Sequence, residues 1–407
     1  MRMLYDMGIR IYWLVAWAIS PWNPKAKRWV QGRRGWFEEL TAKFAPGDRV
    51  TWFHCASLGE FEQGRPLIEA SRERFPESRI LLTFFSPSGY EKRKDFEGAD
   101  HVMYLPLDTR RNAGRMLGAL GLERAFFIKY EFWYHFLNKL KQHHIPTYLA
   151  SGNFRPGQLF FKRYGNWYRK FLSGFSHIFV QNEDSKALLG QIGFLEVTVA
   201  GDTRFDRVSV LPRSPYVHGS LEEFCAGSRV VVAGSTWEKD EQILARAYEE
   251  LPGDLRWIIA PHELSPAHLA GLQKRFPESV LFTRLDGQVP PGTRAIIVDT
   301  IGQLSYLYRF GTLAYIGGGF GKGIHNILEA ATYGLPVIFG PAYHKFAEAV
   351  ELAARGGAFP VEGEEDLLST IHQQLENQEL LKTAAQTAKS FVHERVGATS
   401  RILDKCE

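Results

Sequence analysis

Cysteine is scarce. Cys55, Cys225 and Cys406 are the only three in 407 residues, and they stand too far apart for a disulfide framework, a zinc site or a redox pair. Such usage fits a reducing cytoplasm. No H-E-x-x-H, C-x-x-C pair or D-x-D stretch occurs, so no metal role is indicated. No secretory signal with a small-residue cleavage site is evident, and there is no low-complexity tract or short repeat. The apolar run from Ile11 to Ile19 is nine residues long, and Asp6 and Arg10 interrupt its extension, whereas a spanning helix needs about 20. These absences argue against a secreted disulfide scaffold, a zinc protein and a membrane-spanning helix at this end.

What remains is an ordinary globular composition, 45% hydrophobic and 23% charged, in a chain long enough for two domains with separate cores. The net charge of +4 is unevenly spread. Residues 1–37 hold seven basic side chains (Arg2, Arg10, Lys25, Lys27, Arg28, Arg33, Arg34) and one acid, Asp6, with five of the ten tryptophans. Tryptophan and cations beside an apolar run suit the boundary between anionic headgroups and acyl chains. The expectation is a monotopic helix on the cytoplasmic face of a membrane. The competing expectation is a helix packed on the first domain with a solvated basic loop behind it.

Short apolar stretches alternate with helical ones. Strands are predicted at 49–54, 80–85, 101–105, 125–128, 147–150 and 177–180, then at 229–233, 257–260, 295–298, 313–316 and 336–339. Asp202 to Ser220, with Pro212 and Pro215, is predicted as the hinge. The pattern gives an α/β fold of two doubly wound, parallel-sheet domains, with ligands expected in a cleft at the carboxyl edges of the strands. The domain limits follow as an arm over 1–37, a first domain over 38–205 and a second over 206–407, whose last helix could cross back.

The densest signal is I-G-G-G-F-G-K-G-I-H-N-I-L-E-A-A from Ile316 to Ala331, read as a strand, a glycine turn and a helix opening near His325 and Asn326. Gly318 and Gly319 lie in that turn, where backbone N–H groups and a helix dipole could meet a phosphate, or where the glycines could serve close packing alone. Asn326 and Glu329, three apart, present an amide and a carboxylate suited to sugar hydroxyls. Strand-end turns recur at Ser235 and Thr236, at Pro261 and His262, and at Ile301, Gly302 and Gln303, together suggesting a nucleotide site. In the first half, Ser57 and Glu60 open a helix just past a strand. Glu60 could act as a general base, or the pair could form a capping box. From Phe154 to Phe171, Arg155, Lys162 and Arg163 interleave with aromatic rings, a pattern that suits phosphorylated lipid or single-stranded nucleic acid, or a helix with an aromatic core face.

In order along the chain stand A-S-L-G-E (56–60), F-S-P-S-G (85–89), Y-L-P-L-D (104–108), E-F-W (131–133), Q-N-E (181–183), G-D-T-R-F-D (201–206), V-D-T-I-G-Q-L (298–304) and G-I-H-N-I-L-E-A (323–330). Together they resemble the 3-deoxy-D-manno-octulosonic acid (Kdo) transferases. That resemblance implies a GT-B glycosyltransferase moving Kdo from CMP-Kdo onto the lipid A precursor at the cytoplasmic side of the inner membrane, by inverting displacement, with no metal, cofactor or nucleic acid. It implies Glu60 as general base and Arg204 as transition-state stabiliser. The donor would be held by Ser235, Thr236, Pro261, His262, Ile301, Gly302, Gln303, Gly318, Gly319, His325, Asn326, Ile327, Leu328 and Glu329. The acceptor side would use Ser57, Gly59, Ser88, Asn153, Arg155, Lys162 and Arg163. Two departures stand out. Lys129 replaces a carboxylate of the family pattern; it could bind the Kdo carboxylate or the phosphate, or Glu131 could take the missing role. The family's P-R-H reads A-P-H at Ala260 to His262.

Overall fold

The computed structural model describes residues 1–285 and 287–406. Its residues fall into two compact units, 1–207 joined by the segment from Val396, and 208–395. The first unit opens with helices α1 (Arg2–Ile19), α2 (Pro24–Gln31) and α3 (Trp36–Lys43). Then come β1 (Arg49–Cys55), α4 (Leu58–Arg74), β2 (Arg79–Phe84), β3 (His101–Tyr104), β4 (Gly121–Ile128), β5 (Thr147–Gly152), β6 (His177–Val180) and β7 (Val197–Val199). The sheet order is β3-β2-β1-β4-β5-β6-β7, parallel throughout. The order reverses between β1 and β4, so the loops leaving these two strands diverge and open a crevice at their carboxyl ends.

Helix α4 lies over that pair. Phe61, Leu67 and Ile68 are fully buried, and each such side chain stabilises the fold by about 1.5–3 kcal/mol. Gly64 is required by the close approach, since a Cβ there would stand 3.0 Å from Cys55 Sγ and 3.1 Å from Ile128 Cγ1. The helix that fixes Glu60 is therefore set directly on the two strands bounding the crevice.

The second unit carries β8 (Val230–Thr236), β9 (Arg256–Pro261), β10 (Ser279–Leu281), β11 (Ala295–Ile297), β12 (Leu313–Ile316), β13 (Val337–Phe339) and β14 (Ala358–Pro360). Its order, β10-β11-β9-β8-β12-β13-β14, is again all parallel and reverses between β8 and β12, with Gly234 paired to Ile316. Both units are thus doubly wound. Three strands escape the sequence pattern: β7, β10 and β14 lie at sheet edges and are only partly buried, so no continuous apolar run marks them, unlike the equally short but fully buried β11 and β13. The predicted hinge over 202–220 is not featureless either, since it holds helices Thr203–Ser209 and Gly219–Cys225. The chain rejoins the first unit through the helix Ala398–Asp404, where Asp206 accepts hydrogen bonds from the N–H groups of Gly397 (2.5 Å) and Thr399 (2.7 Å).

The amino-terminal segment is less detached than its composition suggests. Arg33 is buried and donates to the carbonyls of Leu105, Trp29 and Phe85, each at 2.8 Å, with its guanidinium 3.9 Å over the Trp29 ring. Burial pushes its pKa down to about 9. Trp29 and Trp36 are likewise core residues, so two of the five arm tryptophans and one of its cations are structural. Helix α1 docks through Tyr5, Ile9, Trp13 and Ala16, spaced four, four and three apart. Tyr5 donates to Asp108 (2.5 Å) and Asp6 meets His135 (2.5 Å). The opposite face leaves Met3, Met7, Ile11, Leu14 and Val15 exposed. Among the described residues no helix is long and apolar enough to cross a membrane.

Candidate active site

At the switch point of the first unit, Glu60 and Glu131 leave adjacent strands. Glu60 sits three residues past the N-cap Ser57, and its Oε2 accepts from the Ala56 N–H at 2.5 Å. Ser57 makes no side-chain capping bond, so only half of a capping box forms. The Glu60 carboxyl is pushed up to about 8, first by burial and next by the charge of Glu131, against the opposing pull of the Ala56 N–H and of Lys129. Lys129 therefore works on Glu60 as a nearby cation. It is held in the left-handed region, φ 67°, which turns the chain sharply at the end of β4.

Glu131 is fixed from below. Its Oε2 accepts from the Trp133 indole N–H at 2.7 Å and lies 3.0 Å from His54 Nε2, while His54 Nδ1 is 2.8 Å from Thr83 Oγ1. A network satisfied this fully holds one carboxylate rigidly beside the other. Arg204 follows β7 and is folded onto Asp202, with its Nη2 2.7 Å and its Nε 2.9 Å from Oδ2. Thr203 donates to the Gln63 carbonyl (2.5 Å), tying this loop to α4 one turn beyond Glu60.

In the second unit the glycines serve backbone packing. A Cβ on Gly317 would stand 2.3 Å from the Ser235 carbonyl oxygen, and one on Gly319 would stand 2.5 Å from the Gly340 nitrogen. The amides expected to cradle a phosphate are largely engaged. Gly317 donates to Gly234, Gly318 to Asp240, and Gly321 and Gly323 to Gly318. The helix that follows is only Leu328–Ala331, and Asn326 accepts from the Leu328 N–H. What the turn builds is a cavity of about 410 Å³ whose lining includes Trp237, Lys239, Phe320, Lys322 and His325. Trp237 stacks on His262 at 4.4 Å between ring centroids and donates to His325 Nε2 at 3.1 Å. Burial and the neighbouring His262 hold His325 below its usual range. Beneath lies Asp240, fully buried, accepting from Tyr315 Oη (2.8 Å), Gly318 N–H (2.9 Å) and Trp237 N–H (2.9 Å).

The family described as 3-Deoxy-D-manno-octulosonic-acid transferase (kdotransferase) matches residues 28–207. The 3-deoxy-D-manno-octulosonic acid transferase of Bordetella pertussis is 27% identical, over 98% of this chain and 99% of its own length. That of Aquifex aeolicus is 29% identical, over 83% and 91%. Over most of its length the chain is similar to Kdo transferases. Those relatives are named as Kdo transferases, a glycosyltransferase family. In fold, it is similar to UDP-GlcNAc 2-epimerase from Neisseria meningitidis bound to UDP-GlcNAc, with a TM-score of 0.61 at 16% identity over 88% of this chain and 98% of that one, an α/β architecture of the GT-B kind.

The residues named from the sequence gather on two strand edges, one in each unit. Ser57 and Glu60 follow β1, Ser88 follows β2, Lys129 and Glu131 follow β4, Asn153 and Arg155 follow β5, and Arg204 follows β7. Gly59 and Ser88 are exposed; Asn153 donates to the Gln181 side-chain oxygen at 3.1 Å. Lys162 and Arg163 lie farther along the 154–171 stretch, where Phe154, Phe160 and Phe171 are core residues. In the second unit, Ser235 holds φ 55°, while the Thr236 hydroxyl is buried and donates to Glu241 (3.1 Å). Pro261 ends β9, His262 joins the Trp237 stack, and Ile301 and Gly302 are exposed with Gln303 half-buried. Ile327 and Leu328 are buried, and Asn326 donates to Glu329 at 3.2 Å. Sequence reading missed His54, Trp133, Trp237, Asp240 and Lys322. Asp240 alone left a readable sign, an acid three residues into a helix, the spacing of an N-terminal cap.

Proposed function

We propose that this enzyme transfers Kdo from CMP-Kdo to the lipid A precursor (lipid IVA) at the cytoplasmic face of the inner membrane, with Glu60 as general base. The observation carrying the reading is the Glu60 carboxyl, raised to about 8 at a switch point and bracketed by Glu131 and Lys129. A base is most effective when its pKa lies near the working pH. In ground-state protein near neutrality Glu60 is largely protonated; Lys129 and an approaching acceptor hydroxyl favour the ionised form needed to remove the proton. Attack on the anomeric carbon then expels CMP in one inverting step, without a covalent intermediate. Within the second unit, Lys322 supplies a cation for the departing phosphate, and Trp237 with His262 and His325 offers stacked rings to the pyrimidine; Arg204 stabilises the transition state, as the family resemblance implies. The Asn326–Glu329 pair suits the ribose hydroxyls, with the 301–303 turn beside the nucleotide, as the family resemblance implies. Ser57, Gly59, Ser88, Asn153 and Arg155 sit on the edge where the acceptor sugar would lie, with Lys162 and Arg163 toward its charged groups.

The exposed apolar face of α1, with Trp22 beyond it, supports attachment to the membrane surface. Glu60→Ala, supplied with CMP-Kdo and lipid A precursor, is expected to lose transfer by at least a hundredfold while still binding CMP. Undiminished turnover removes Glu60 from the base role. Thermal stabilisation by CMP and not UDP is expected of the donor pocket, and the reverse would point to a UDP-sugar enzyme on the same scaffold.

A further inference from the structure

We propose that an aromatic groove beside the amino-terminal turn of α1 receives an acyl chain of the lipid acceptor and leads it from the membrane face to the catalytic carboxylates. The inference rests on the transfer reaction proposed above and assigns the part of the protein that recognises the acceptor as a lipid. The groove measures about 560 Å³ and runs from Leu4 and Tyr5 past Phe160, Trp167 and Phe171 to Tyr130 and Glu131.

Its chemistry selects the occupant. Glu131 is the one charged side chain in the lining, and its Oε2 is already engaged by Trp133 and His54. The Tyr5 hydroxyl is turned away to donate to Asp108. The remaining wall is mostly ring and alkyl carbon, with the phenols of Tyr130 and Tyr168 and the Trp167 indole as its polar points, so a sugar or phosphate placed against it would lose more water than it gains in partners, whereas an alkyl chain gains from burial. Nor is the groove an open stacking platform for bases, because Trp167 is stacked on Tyr134 at 5.6 Å and meets the Phe171 ring edge-on at 4.9 Å.

Its two ends supply the direction. Leu4 is 57% exposed and continues into the outer face of α1, where Met3, Met7 and Ile11 are open to solvent. At the far end the groove is lined by Glu131, which follows β4, the strand paired with the one that Glu60 follows, so the groove reaches the switch point. A chain lying along it would hold the sugar hydroxyl of the same molecule at the strand edge while the headgroup stays at the bilayer surface.

The test compares two acceptors with the full-length enzyme and CMP-Kdo: the acylated lipid A precursor and its fully deacylated form, both in detergent. Wild type is expected to favour the acylated form by tenfold or more in kcat/KM. Leu4→Gln and Trp167→Ser are each expected to raise KM for the acylated form about tenfold, collapsing the preference. A preference that survives both substitutions overturns the groove, while a wild type that glycosylates neither acceptor overturns the transfer reading itself. Wild-type protein gives a second readout free of folding effects. An acceptor carrying a diazirine at the end of one acyl chain should label peptides spanning 130–134 and 159–171, and labelling confined to residues 7–15 overturns the proposal.

Discussion

Replacing Glu60 with glutamine tests the electrostatics of the site through stability as well as activity. The carboxyl rises from 4.5 to about 8 on folding, with burial the leading cause and Glu131 the next. Between those two values the folded protein retains a proton that the unfolded chain has released, so stability falls as pH rises through that window. At about 1.4 kcal/mol per unit, the full shift corresponds to a ceiling of about 5 kcal/mol above pH 8. The group is partly open to water, and solvent screening reduces this to about 1–2 kcal/mol. Glutamine keeps an oxygen for the Ala56 N–H and removes the charge. For a unit of this size each kcal/mol moves Tm by about 2–4 °C. Melting followed by circular dichroism should therefore show Glu60→Gln within about 1 °C of wild type at pH 4, and about 2–8 °C above it at pH 8.5. The same preparation should be inactive in transfer. An equal offset at both pH values, or a variant less stable at pH 8.5, would refute the account of a charge held against burial and a like neighbour.

The neighbours of Glu60 should move its titration in opposite directions: Glu131→Gln is expected to shift the acidic limb of kcat/KM to lower pH and Lys129→Met to higher pH, each by about 0.5–1 unit. A common direction would break the assignment. Gly317→Ala drives a Cβ to within 2.6 Å of the Thr236 backbone and should cost about 2–4 kcal/mol in urea unfolding, whereas Gly321→Ala, whose nearest neighbour is 3.6 Å away, should stay within about 1 kcal/mol apart from its glycine-specific entropy. Asp240→Asn leaves one of three buried donors facing an amide N–H and should lower stability by about 2–3 kcal/mol and weaken CMP binding, measured by unfolding and by calorimetry. Met7→Glu with Leu14→Glu places charge on the exposed face of α1 and should reduce recovery on anionic vesicles about tenfold with an unchanged Tm; a fall in Tm would show that this face is packed rather than free.

The last of these replaces a cruder experiment that composition alone suggests, removal of residues 1–36. Arg33 bridges three carbonyls of the first unit, Trp29 stacks on it, and Tyr5 and Asp6 hold Asp108 and His135, so the deletion would unfold what it means to release. Counting cations and tryptophans identifies an interface composition but cannot separate those that face lipid from those that hold the segment down. The strands were legible wherever apolar residues ran together, because a parallel sheet covered on both faces demands such runs; β7, β10 and β14 were not, because they are edge strands, only partly buried, and their sequences are not continuously apolar. The motifs are a mixture of the same kind. Glu60 and Glu131 stand at the switch point, but Asp108 holds α1 and the start of the helix Tyr134–Gln142, and Asp206 caps the returning carboxyl-terminal helix. The glycine turn taught the reverse lesson. Gly317 and Gly319 are there because two backbones meet, and the side chains that line the cavity, Trp237 from the turn after β8 and Lys322 between Gly321 and Gly323, are not the glycines that drew attention to it. A glycine cluster therefore marks where backbones converge, and the chemistry has to be sought in the side chains that such convergence leaves standing around a cavity.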